Sequence, residues 1–149
     1  MKRALALVLV SIAVVALAGC GGSSKPKPLS KADYTSQMGK LGTDLSASIN
    51  KIGNAGSSTK KIESALTQAQ VELRAAADRM AAMTAPADIQ DQHAKLVKGV
   101  RELADDLDTI KTKIDKGDLS AILAITTLTG IKDISDASEA ITKAGYNIG

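Results

Sequence analysis

Residues 62–114, IESALTQAQVELRAAADRMAAMTAPADIQDQHAKLVKGVRELADDLDTIKTKI, decide the fold. Apolar residues fall at Ile62, Leu66, Ala69, Leu73, Ala76, Met80 and Met83, in steps of four and three without a slip. After Thr84-Ala85-Pro86 the same spacing restarts with Ile89, His93, Leu96, Val100, Leu103, Leu107, Ile110 and Ile114. Steps of three and four keep one stripe of a 3.6-residue helix apolar, so the stretch predicts two amphipathic helices. Pro86 has no N–H to give a preceding turn and suits the first turn of the next helix, where Asp88 is also favourable. So short a link folds the second helix back along the first.

The pattern extends in both directions. Upstream, Ser30-Lys31-Ala32-Asp33 resembles a capping box with Asp in place of Glu. Tyr34, Met38, Leu41, Leu45, Ile49 and Ile52 then mark one helical face, and the run 53–58, GNAGSS, ends it. Downstream, Lys116-Gly117 closes the third helix and Asp118 caps a fourth segment. There Leu119, Ile122, Leu123, Ile125 and Leu128 are apolar nearly all round. Gly130 interrupts, and Ile131, Ile134, Ala137 and Ile141 resume one face, giving either one helix weakened at Thr129-Gly130 or two short ones. Gly145 ends it, leaving Tyr146-Asn147-Ile148-Gly149 as a short tail.

Helices of this kind hide their seams by packing as an antiparallel up-down bundle. The expected fold is therefore all-α, a bundle of three to four helices over residues 30–149. Ala69 and Ala76 in the seam allow close helix approach. A long coiled coil that closes by forming a homodimer is the other packing compatible with clean four-three repeats. The short Thr84-Ala85-Pro86 link favours the monomer.

Ahead of the bundle the chain changes character. Lys2 and Arg3 precede an uncharged apolar run, Ala4 to Leu17, and then Leu17-Ala18-Gly19-Cys20. A basic start, an apolar stretch and small residues at a cleavage point are the marks of a secretory signal. The run is short of the roughly 20 residues a bilayer span needs. Leu17-Ala18-Gly19-Cys20 resembles the lipobox of bacterial lipoproteins. That resemblance implies cleavage before Cys20, with Leu17, Ala18 and Gly19 as the peptidase recognition residues and Cys20 as the acylated N-terminus. It makes residues 1–19 a signal peptide and 20–29 a lipidated flexible linker, whose Gly, Ser and Pro content suits a stalk. Other readings are an ordinary signal with an incidental cysteine, or an uncleaved anchor. The chain has a single cysteine, which excludes a disulfide framework within it.

Loss of residues 1–19 removes Lys2 and Arg3, so basic residues fall from 19 to 17 against 16 acidic ones. The net charge is then close to neutral, and the basic isoelectric point is no nucleic-acid signature. With no Phe or Trp and only Tyr34 and Tyr146, the chain also lacks stacking platforms for bases. No nucleic-acid partner is expected.

Candidate chemistry is sparse. His93, the only histidine, falls on the seam of the third helix. With Met80 and Met83 on the preceding one it makes a conceivable copper or haem site, since soft ligands suit monovalent copper. Seam methionines are more often core filler. The acidic run Glu102, Asp105, Asp106, Asp108, Asp115 and Asp118 lies largely on a helix and points in several directions, which suits a solvated face with pairs such as Arg101–Asp105 and Lys111–Asp115. No nucleophile elbow, phosphate loop or paired cysteines are present. No catalytic residue, cofactor or metal is assigned.

Met80-Ala81-Ala82-Met83-Thr84-Ala85-Pro86-Ala87-Asp88, His93-Ala94-Lys95-Leu96, Leu103-Ala104-Asp105-Asp106-Leu107 and Gly145-Tyr146 resemble small helical lipoproteins of actinobacteria. The resemblance covers roughly residues 60–149 and implies a helical lipoprotein of that lineage, without an activity. The expected function is a non-enzymatic binding or structural module, lipid-anchored at the extracytoplasmic face of the cell membrane with an envelope protein as partner. The alternative is a small-molecule or metal carrier using His93, Met80 and Met83.

Overall fold

A computed structural model describes residues 26–56 and 58–148. The segment expected to be a signal peptide, with Leu17, Ala18 and Gly19 as its expected recognition residues, and Cys20 lie outside them. Among the described residues four helices follow one another: α1 Lys31–Gly53, α2 Thr59–Ala81, α3 Gln90–Asp115 and α4 Thr129–Lys143. Short 3-10 segments, Ala87–Ile89 and Leu119–Thr127, precede α3 and α4. Among the described residues there is no strand. The fold is an all-α, up-down bundle, as the sequence predicts.

Cross-helix contacts fix the directions. Gln70 of α2 donates to the Ala104 carbonyl of α3, Arg74 pairs with Asp105 and Asp78 with Arg101. From Gln70–Ala104 through Asp78–Arg101 to the Met80 carbonyl against His93, rising numbers on α2 meet falling numbers on α3, so the two are antiparallel. Lys98–Asp133 and the contact of Gly130 with Leu103 show the same for α3 and α4. One end of the bundle, the head, therefore gathers the start of α1, the end of α2, the start of α3 and the end of α4. The opposite end is the foot. Leu29 already belongs to the head: it is half-buried and its N–H donates to the Thr84 carbonyl at 2.9 Å.

Every seam residue of residues 62–80 and 89–114 named above is buried. Met83 lies beyond the end of α2 and is half-buried. In α1 the seam drifts. Ile49 is 37 % exposed, whereas Ser48 is buried and donates to the Asp44 carbonyl. Two successive steps of four from Leu41 rotate the face by about 80°, while a step of seven brings Ser48 back to within about 20°. At the N-terminus Ser30 caps as expected: its hydroxyl accepts from the Asp33 N–H at 3.1 Å and donates to the Asp33 carboxylate.

Residues 119–143 resolve the open choice between one helix and two. The first piece is a nine-residue 3-10 helix and the second is α4. With three residues per turn, rows i, i+3 align. Ser120, Leu123 and Thr126 face outward, Ala121 is buried, and Ile122, Ile125 and Leu128 are half-buried. Gly130 does more than interrupt. A Cβ there would lie 2.4 Å from the Leu103 backbone nitrogen and 2.9 Å from the Gly99 carbonyl. One at Gly99 would meet the Ile134 backbone nitrogen at 3.0 Å. The two glycines let the α3 and α4 backbones nearly touch.

Candidate functional site

The two tyrosines and the single histidine meet at the head. Tyr34 belongs to the first turn of α1, His93 to the first turn of α3, and Tyr146 follows α4. In an up-down bundle those three positions share one end. Tyr34 and Tyr146 meet edge to face with ring centroids 5.6 Å apart, and Tyr34 and His93 do the same at 5.5 Å. Gly145 at φ +88° turns the chain at the end of α4. The Tyr146 N–H then reaches the Ile141 carbonyl and the Gly145 N–H the Thr142 carbonyl, a Schellman closure. That turn sends residues 146–148 back over α1, where Tyr146 and Ile148 are buried and the Ile148 carbonyl approaches Gly42. The tail expected to trail is part of the core.

Hydrogen bonds settle the state of His93. Its Nε2 lies 2.9 Å from the Met80 carbonyl, which only accepts, so Nε2 carries the proton. In the neutral ring Nδ1 is then an acceptor, and it takes the Tyr34 O–H at 3.0 Å. Burial holds the imidazole below its ordinary 6.5, against the opposing pull of the Met80 carbonyl. Burial, with Tyr146 nearby, pushes the Tyr34 hydroxyl up to about 12. His93 is therefore a neutral, fully engaged ring joining α1, α2 and α3 at the head.

Tyr146 closes the cluster on the outside. Its hydroxyl donates to the Asp88 carboxylate at 2.8 Å, and Lys31 Nζ sits 4.8 Å from its ring centroid. The bond to Asp88, then burial, raises the Tyr146 hydroxyl above its ordinary value.

Met80 touches His93 through its backbone carbonyl, which also accepts from the Met83 N–H. Among the described residues no three His, Cys, Asp or Glu side chains gather as a metal cluster. The acidic residues spread over separate tasks. Asp105 and Asp108 pair with Arg74 of α2 at 3.1 and 3.4 Å, and Glu102 with Lys98. Asp118 caps Ser120, and Asp106 lies 3.5 Å from the Gly130 nitrogen at the positive end of α4. Arg101 reaches Asp78 of α2 instead of Asp105, because the antiparallel register sets α2 charges beside it.

Two open grooves flank α3. One, about 420 Å³, runs along α2 and α3 past the rim of His93, Val97 and Arg101. The other, about 500 Å³, separates α3 from α4 and is walled by Lys95, Lys98, Asp133 and Asp136 over Ala137 and Ala140. Neither presents a nucleophile beside a base. Tyr34, Tyr146, Asp88 and Lys31 escaped sequence reasoning as a group. The available signal was the placement of all three ring residues at helix boundaries on one end. Comparison with family models, curated proteins and solved structures finds no match to this chain.

Proposed function

We propose that the chain is a membrane-tethered, non-enzymatic module of the bacterial cell envelope, held at the extracytoplasmic face by lipid on Cys20. The observation that carries this reading is Leu17-Ala18-Gly19-Cys20 at the end of an apolar run, with the single cysteine of the chain in the last position. A stalk of Gly, Ser and Pro composition follows, and the bundle it leads to has no assembled nucleophile, base or metal cluster among the described residues. The bundle's role is then to present a surface to an envelope protein or to brace the envelope, as a monomer. No helix among the described residues is long and apolar enough to cross a membrane. Two or more acyl chains on Cys20 would anchor the chain durably.

A carrier of copper or haem would have to break one of the two hydrogen bonds that engage the His93 ring. Both bonds serve the packing of the head, so the weight falls on a binding or structural role.

The test is intact mass and membrane partition of the full chain in a bacterial host, beside Cys20→Ala. Loss of residues 1–19 with added acyl mass, abolished by Cys20→Ala, is the expected result. A cleaved, unlipidated and soluble product from the unaltered chain would overturn the reading.

A further inference from the structure

We propose that the head of the bundle is an acid-released latch, in which protonation of His93 parts it from Tyr34 and frees the start of α1. Three pieces of chain close the head: the first turn of α1, the link between α2 and α3, and the tail after α4. One set of contacts joins them. Tyr34 bonds to His93 and packs on Tyr146, Tyr146 donates to Asp88 of the link, and the Leu29 N–H donates to the Thr84 carbonyl of the link.

The closed head has no place for a second proton on the ring. Nε2 already donates to the Met80 carbonyl and Nδ1 accepts from the Tyr34 hydroxyl. A proton on Nδ1 sets two donors face to face. Tyr34 must then turn its own hydrogen away, yet it is 0 % exposed, and among the described residues its hydroxyl has no other partner. Nor do the surrounding charges offset a cation. On the α1 side stands Lys31, over Tyr146, and Asp88 already accepts from the Tyr146 hydroxyl. Along the α3 rim Lys98 pairs with Glu102, Arg101 with Asp78 and Asp105 with Arg74. His93 also lies in the first turn of α3, whose positive end disfavours an imidazolium. The Met80 carbonyl, at the end of α2, pulls the other way, and burial outweighs it.

Released into water, the ring titrates near its ordinary 6.5, whereas the closed head holds it lower. The closed head is thus favoured above 6.5. Below that value the closed-to-open ratio falls about tenfold per pH unit, until the closed form also takes the proton. Mild acid has this hold at the head alone. The other buried polar side chains among the described residues are Ser48 and Gln70, which do not titrate. His93, 6 % exposed, also lines the groove along α2 and α3, which gives the ring a short way to water. Opening releases Leu29 from Thr84 and so lengthens the chain ahead of the bundle. The inference goes beyond the reading above and holds whether or not Cys20 carries lipid.

Hydrogen exchange of the full chain, read as protection factors across this pH range, tests the latch. The N–H groups of Leu29, Tyr34 and Tyr146 report the head, and those of Leu73 and Leu103 the middle of the bundle. Head protection should fall about tenfold between pH 6.5 and 5.5, and should stay at least about tenfold below that of the middle, as a local opening requires. In His93→Gln, head protection should not change over the same range. Equal protection at head and middle would overturn the proposal, because the head would then open only with the whole bundle. So would head protection that ignores pH, or the same fall in His93→Gln. The comparison of head with middle in the unaltered chain decides the matter even if that variant does not fold.

Discussion

The Tyr34 hydroxyl donates to His93 Nδ1 across 3.0 Å and 59 residues of sequence, while the opposite ring nitrogen donates to the Met80 carbonyl. One imidazole thereby ties three helices together with no polar atom of the ring left over. Tyr34→Phe would keep the packing and leave Nδ1 buried without its donor. A loss of about 1–3 kcal/mol is expected, read as a lower urea midpoint at unchanged slope. Tyr34→Phe combined with His93→Phe should cost less than the sum of the single changes, because neither partner is then stranded.

The same pair sets a pH window. His93 is depressed below 6.5 by burial, so the unfolded chain binds more protons than the fold as pH drops through that value. Stability is full above 6.5 and falls on acidification, levelling off once the folded form also takes up its proton. Tyr34 is raised from 10.0 to about 12, so on the alkaline side the unfolded chain loses its proton first and stability falls as pH rises above 10. Urea midpoints measured against pH should trace a plateau between these limits. His93→Gln should flatten the fall between pH 6.5 and 5, before the carboxylates begin to titrate.

Two glycine substitutions should act in opposite directions. Gly130→Ala forces a Cβ to 2.4 Å from the Leu103 nitrogen, and overpacking against backbone should cost at least about 2 kcal/mol. Gly39 lies inside α1 with nothing within 4 Å of a built Cβ. Gly39→Ala should therefore stabilise by about 0.5–1 kcal/mol through helix propensity alone. Thermal melts of the two variants check both signs.

The C-terminal tail offers a third contrast. Ile148 is buried against the bundle whereas its neighbour Asn147 is exposed. Ile148→Ala should lower stability by about 2 kcal/mol, and Asn147→Ala should change it by no more than about 0.5 kcal/mol. Equal and silent effects would mean that the tail does not pack.

How far the sequence was legible follows from what each signal measures. Strict four-three repeats report a buried stripe, and α2 and α3 obey them residue by residue. Where the steps became four and four, as at Leu41, Leu45 and Ile49, the stripe rotated and the polar Ser48 took the buried place. Residues 119–127 carry hydrophobicity without a helical period, and the chain there adopts three residues per turn, which an α-helical template does not anticipate. Gly130 read as a breaker because a glycine's empty space is visible only once the opposing backbone is known. The head cluster was hidden for a similar reason. His93 was visible as a seam residue, but its bonds to Tyr34 and Met80 depend on how three helices meet.

Composition and fold together give the molecule a built-in optical reporter. The chain has two tyrosines, no tryptophan and no phenylalanine, and the two rings stand 5.6 Å apart at the head. Near-ultraviolet dichroism and tyrosine emission therefore register the head alone, whereas the amide signal averages over every helix. A foot that frayed or rearranged would leave the tyrosine spectrum native, and separation of the two signals during unfolding would show which end opens first.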